Sequence, residues 1–537
     1  MYEWSDTDLM FRDALRGFID KEVRPHVDEL ESGALPPFDI IRKLYSTFGL
    51  ADMAREGLEK SLARERGEAP SGDGEKSSAF SGAGSMGVVL NSELAGVSLG
   101  LVASLGVSLG LAAGTIRSRG TLAQKERWLP GLVTFETVGA WAITEPDSGS
   151  DAFGGMKSYV RRDGDDYILN GNKTFITNGP YADVMIVYAK LDEGDASVDR
   201  RDRKVLAFIL DKGMEGLTQS PPFKKMGMNS SPTGELFFDN VRITKDRLLG
   251  ETEDSGKSDG KSSAKESFAA ERIGIASLSL GIINECHRLS IEYAKSRKLW
   301  GREIGQFQLI QLKLAEMEVA RINVQNMVFN AIERTAAGDK VSLAEASAMK
   351  LYSSRAATEV AMEAVQLFGG NGYMAEYRVE QLARDAKSLM IYAGSNEIQS
   401  PISPRVSWLT PERFRLSVDR SRNRIVLLRS ATPRRRIGVD SERAGSHKCS
   451  SDGRATASGV AEAVDRQPVD RGRGVHLLRR SGVRRRVRDS KRVAPLWSRQ
   501  TRDRQVLRPG HRCHLHHERR EPSYERCLHL PVSDHGR

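Results

Sequence analysis

The first 400 residues of this 537-residue chain contain a single cysteine, Cys286. A disulfide framework is excluded there, which suits a reducing, cytoplasmic setting. The N-terminus, MYEWSDTDLMFRDALRGFIDKEV, lacks the basic start and apolar core of a signal peptide. Long apolar runs are absent with one exception. Residues 96–116 carry no charge over 21 positions, the length of a bilayer span. Nine of those residues are Gly, Ser or Thr, so a buried small-residue helix or helix pair is expected rather than a membrane span. Histidine is also scarce: eight of the ten histidines lie after residue 400. There His511, Cys513, His514, His516, His517 and Cys527 cluster, but no C-x-x-C pair precedes them, and no metal site is expected.

Charge is divided unevenly. Residues 1–400 hold 48 Lys+Arg against 57 Asp+Glu, a net of −9. Residues 401–537 hold 33 against 14, a net of +19, with 31 Arg and 2 Lys. The basicity therefore belongs to the tail. Its runs Arg434-Arg435-Arg436 and Arg484-Arg485-Arg486 suit nonspecific phosphate contact. Aromatics are nearly absent around them, so no specific nucleic-acid partner is expected.

The periodicity changes twice. Leu9, Phe11, Leu15 and Phe18 open a helical region. Short strand-like runs follow at Val138–Ile143, Tyr167–Leu169, Val184–Leu191, Val205–Leu210 and Glu235–Phe238. Turn signals such as Asn170-Gly171-Asn172 separate them. Helical spacing then returns from Phe268 to Gln399. The expected fold is multi-domain α+β. It has an N-terminal helical domain (1–137, with a polar insert at 62–87) and a middle antiparallel β domain (138–249). A polar linker (250–266) and a C-terminal helical bundle (267–400) follow. The tail (401–537) reads as disordered or aberrant. Ser400-Pro401-Ile402-Ser403-Pro404 stops the last helix, and the surge of Arg over Lys is what an out-of-frame reading of a GC-rich gene produces. Gly82-Ala83-Gly84-Ser85-Met86-Gly87 fits G-x-G-x-x-G, but no strand precedes it, so no Rossmann site is expected.

Five segments carry stronger signals, in one order: WAITEPDSGSD (141–151), NGNKTFITNG (170–179), RKLWGREIGQFQLIQ (297–311), QLFGGNGY (366–373) and IYAGSNEIQ (391–399). Together they closely resemble the acyl-CoA dehydrogenase family over roughly residues 5–400. That resemblance implies FAD held between the β domain and the C-terminal helices. Trp141, Ile143 and Thr144 would line the flavin, Gly149 and Ser150 would sit by the pyrophosphate, and Phe175 and Thr177 would pack on another edge. Arg297, Trp300 and Gln308 match a cofactor-clamping segment. Gln366, Gly369 and Gly370 match a turn reaching the FAD of a neighbouring subunit, so a homo-oligomer, dimer or tetramer, is implied. Ser395 and Glu397 complete the cofactor set. Ser150, Arg272, Tyr392, Ala393 and Gly394 would border the acyl-CoA substrate.

The reaction removes an α proton and a β hydride, so one carboxylate must reach the α carbon. Many family members place it between the Tyr and Gly of the segment matching Tyr392-Ala393-Gly394. Ala393 cannot take a proton. A sub-branch resembling isovaleryl- and long-chain acyl-CoA dehydrogenases puts a Glu just before an Arg on the first long C-terminal helix, and Glu271-Arg272 stands there. The bland alternative is a first-turn carboxylate favoured by the helix dipole. An electron-transfer flavoprotein is the expected acceptor. Two other readings compete: an acyl-CoA oxidase of the same fold, and an impaired product binding polyanions through its tail.

Overall fold

The computed structural model describes residues 3–68, 84–253, 260–339 and 341–400, with the backbone of two paired antiparallel strands, Arg415–Asp419 and Arg424–Leu428. The chain divides into two units, Met1–Arg435 and Arg436–Arg537, and every described residue lies in the first. The middle of the polar insert, part of the linker and most of the tail lie outside the described residues.

The N-terminal helices are α1 (Asp6–Phe18), α2 (Val27–Ser32), α3 (Phe38–Thr47), α4 (Leu50–Glu65), α5 (Ser85–Ala95), α6 (Leu99–Gly106), α7 (Gly114–Arg119) and α8 (Leu122–Val133). Ser5 starts α1 with a capping box: its side chain accepts from Asp8 N–H while the Asp8 carboxylate accepts from Ser5 N–H. Thr121 and Gln124 do the same for α8. The charge-free stretch forms α6, a π-helical turn at Val107–Ala113, and α7. It is long and apolar enough to cross a membrane by composition, yet it is mostly buried in protein. Ser108 Oγ accepts from Gly139 N–H at 2.8 Å, so this helix docks on the sheet.

The sheet runs β1 (Gly139–Ala142), β2 (Tyr159–Asp163), β3 (Asp166–Thr177), β4 (Val184–Leu191), β5 (Val205–Asp211), β6 (Leu217–Gln219) and β7 (Thr233–Ile243). Its order is β1-β4-β2-β3-β7-β6, with β5 also on β4. The expected antiparallel sheet holds for four of the six strand pairs, but β1 and β2 each run parallel to β4. β4 is buried on both faces. Val184, Ile186 and Tyr188 meet the helices on one side, while Met185, Val187, Ala189 and Leu191 meet the strands' own core on the other. The expected turn at Asn170-Gly171-Asn172 is instead the interior of β3. Gly171 takes φ +135° beside a register shift against β7, and a Cβ there would meet Ser158 Oγ at 2.4 Å. A bulge, not a turn, explains the glycine.

The C-terminal helices are α9 (Gly260–Ser296), α10 (Gln308–Ala336), α11 (Leu343–Phe368) and α12 (Val379–Leu389). α9 begins inside the segment expected to be linker. Leu15, Val23, Leu94 and Leu101 from the first helices share one core with Ile275, Ile283, Val324, Val360 and Leu389. The two helical regions are thus one packed body, and the sheet is inserted between them in sequence.

Candidate active site

Glu271 stands about three turns into α9. A helix-dipole explanation needs the first turn, so that alternative fails. The residue is half-buried. Burial lifts its carboxyl from 4.5 to about 7, against the opposing pull of Arg272 and Lys350.

The segment after α12 turns sharply beside it. Ala393 and Gly394 both take left-handed backbone, with φ of +56° and +85°. A non-glycine residue there is strained, and three donors hold it. Arg272 Nε donates to the Ala393 carbonyl at 3.4 Å, Gln399 Nε2 to the carbonyls of Ala393 and Gly394 at 3.2 and 2.8 Å, and Lys350 Nζ to the Gly394 carbonyl at 2.8 Å. Lys350 and Gln399 were not among the expected site residues. With both carbonyls held inward, no acceptor within hydrogen-bond reach of Ala393 N–H is found among the described residues. Burial, with Glu271 nearby, pushes the Tyr392 phenol up. Ser395 is half-buried and Glu397 exposed after the turn; its own backbone N–H, and then Ser395, hold the Glu397 carboxyl below its ordinary value.

Near its end, β1 meets α9, the helix that carries Glu271, through one aromatic contact. The Trp141 ring packs edge-on against Phe268 of α9 at 6.0 Å, and the Arg272 guanidinium lies over the Phe268 ring, 5.7 Å from its centroid. Ile143 is buried behind Trp141, and the Thr144 carbonyl accepts from Thr174 N–H at 2.9 Å. A buried ion pair anchors the following loop. Lys173 Nζ lies 2.7 Å from Glu145, whose other bonds come from the N–H groups of Lys157 and Ser158. Gly149 and Ser150 are exposed on that loop, and Phe175 and Thr177 lie further along β3.

The remaining expected residues form a second group. Arg297 follows α9, β8 (Lys298–Leu299) and β9 (Arg302–Glu303) make a small hairpin, and Trp300 at its tip is 87% exposed. Gln308 starts α10. Tyr293 stacks on Phe368 at 4.0 Å, tying this end of α9 to exposed Gln366, Gly369 and Gly370. Tyr293 is 22 residues beyond Glu271, about 33 Å along the helix. Within one chain the Glu271 and Tyr293 ends of α9 are therefore far apart.

Three features of the first group fit a flat, anionic cofactor. The Trp141 indole N–H is buried with no acceptor. A Cβ on Gly149 would meet nothing within 4 Å, so the protein itself does not require glycine there. Phe175 is 67% exposed at φ +57°, an aromatic held in strained backbone at the surface. With a burial-raised carboxylate on the helix that also carries Phe268, the arrangement is compatible with a flavin-dependent oxidoreductase.

Comparison with known proteins narrows the class. The N-terminal, middle and C-terminal domains of acyl-CoA dehydrogenase match residues 77–136, 140–241 and 258–406. Mitochondrial isovaleryl-CoA dehydrogenase of Arabidopsis thaliana is 33% identical over 401 residues, 74% of this chain and 90% of that one. Subunit CarC of the caffeyl-CoA reductase-Etf complex of Acetobacterium woodii is 32% identical over 402 residues, covering 74% and 97%. The structure of butyryl-CoA dehydrogenase from Megasphaera elsdenii matches at a TM-score of 0.65 and 32% identity, over 76% of this chain and 100% of that one. This chain belongs to the acyl-CoA dehydrogenase family, an FAD-dependent oxidoreductase acting on acyl-CoA thioesters.

Proposed function

We propose that this protein converts an acyl-CoA to its trans-2-enoyl-CoA with Glu271 as the base that takes the α proton. The carrying observation is a carboxylate raised to about 7 beside a turn whose own residue, Ala393, has no acid. A base with a value near neutrality is ionised at working pH yet still strong enough to accept a carbon-bound proton. FAD supplies the hydride acceptor for the β carbon. Trp141, Ile143, Thr144 and Phe175 give it an apolar wall with one unsatisfied indole donor, and Gly149 and Ser150 leave its phosphates room for close approach. Ala393 N–H donates to the thioester oxygen and stabilises the enolate charge that develops as Glu271 draws the proton. Tyr392 and Gly394 flank the acyl chain, and Arg272 holds the turn from beneath.

The second group serves a neighbouring copy. Arg297, Trp300, Gln308, Gln366, Gly369 and Gly370 lie too far along α9 for the flavin wall of their own chain, which supports a homo-oligomer. A relative named as part of an Etf complex supports an electron-transfer flavoprotein as acceptor. Cys286, the only cysteine among the described residues, is buried and free, which is compatible with the cytoplasm. The test is Glu271→Gln. The variant keeps FAD stoichiometry but loses flavin reduction by acyl-CoA by about 10³-fold. Reduction at the wild-type rate would remove Glu271 from the mechanism.

A further inference from the structure

Lys350 is fully buried on α11. Lysine is rarely so unless paired with an acid. Here both hydrogen-bond acceptors are neutral: the Gly394 carbonyl at 2.8 Å and Asn396 Oδ1 at 2.9 Å. The same helix face buries Ser347, which accepts from Arg272 Nη1 at 3.1 Å, and Ser354, which donates to Asn396 Oδ1 at 3.1 Å. A polar face has therefore been placed between α11 and the Glu271 end of α9. The turn does not need a second cation for its hydrogen bonds alone, because Gln399 already donates to both carbonyls and Arg272 to one.

The charged and titratable groups facing Glu271 are Arg272 on its own helix, Lys350 on α11 and Tyr392 on the turn. Those facing Lys350 are Arg272, Glu271 and Glu397. We propose that Lys350 is a positioning residue for the dehydrogenation: its charge favours the ionised Glu271, and its ammonium fixes the Gly394 carbonyl so that Ala393 N–H is presented to the thioester. Burial and Arg272 hold the Lys350 ammonium down to about 8, and Glu271 ionises near 7. Between those values both groups carry their charges. The inference rests on Glu271 being the base.

Acetoacetyl-CoA separates the two ideas, since its acidic α proton can be taken without turnover and its enolate absorbs distinctly. The holoenzyme and its Lys350→Met, Lys350→Gln and Lys350→Arg variants are titrated with this probe from pH 5 to 9, after FAD content and Tm are checked. Wild type forms enolate with a midpoint near 7. Met and Gln, which lack the charge, move that midpoint up by roughly one pH unit. Gln retains a donor for the Gly394 carbonyl, so it covers the case in which Met does not fold. Arg restores the wild-type midpoint. An unchanged midpoint in Met or Gln, with weaker binding alone, would show that Lys350 only packs. Wild type leaving the probe in its keto form throughout would overturn the assignment of Glu271 itself, and this inference with it.

Discussion

At the scale of single residues, pH is the sharpest lever. As the proposed base, Glu271 would act only when ionised, and burial raises its carboxyl to about 7. The rate of flavin reduction should therefore rise through pH 7 and fall about tenfold for each unit below it. Stability moves the other way. The folded value lies above the ordinary 4.5, so the folded state binds this proton more tightly than the unfolded chain does. Stability falls as pH rises from 4.5 to about 7, and the full penalty remains above that. Glu271→Gln removes the penalty, so its Tm gain over wild type should be larger at pH 8 than at pH 5. Partial exposure keeps that gain modest. Gly149→Ala is the complementary case: with open space around the Cβ, the FAD-free Tm should not move, while FAD affinity drops roughly tenfold. Glu271 was legible as a candidate base in the sequence because Ala393 removed its competitor. Lys350 was not, although it lies in phase with the buried Ala346, Ala357 and Ala361. A lysine on an alanine stripe was the available signal.

At the scale of elements, close backbone approach decides what tolerates change. A Cβ on Gly281 of α9 would lie 2.1 Å from the Ser92 carbonyl of α5, so Gly281→Ala must push two helices apart. It should cost about 1–3 kcal/mol in denaturant unfolding. Gly17 of α1 is exposed with nothing within 4 Å, and Gly17→Ala should instead stabilise by about 0.5–1 kcal/mol. Equal losses from both would contradict the packing described. The strands with strong apolar runs were readable: β4 is found at its expected limits. β2 was not, since only Val160 of its five residues is buried and no alternation survives. α9 was shortened by expectation because GKSSAKE looks like linker, yet long helices accept polar turns at their ends.

At the scale of the whole molecule, the site and the net charge lie in different parts of the chain. Every expected site residue falls between 141 and 397, where the body is acidic, while the tail carries +19. The helix–sheet–helix order was visible as two changes of period, but the shared core of the two helical regions was not, because contacts across more than 200 residues leave no local pattern. Deleting 436–537, the second unit, should leave FAD stoichiometry unchanged and abolish retention on a polyanion column. Loss of FAD on that deletion would tie the tail to the fold. The most direct test of the central claim is exchange of the acyl-CoA α hydrogen with D₂O, followed by proton NMR. Wild-type holoenzyme should exchange it with a pH midpoint near 7, and Glu271→Gln with intact FAD should not; exchange persisting in that variant would contradict the account.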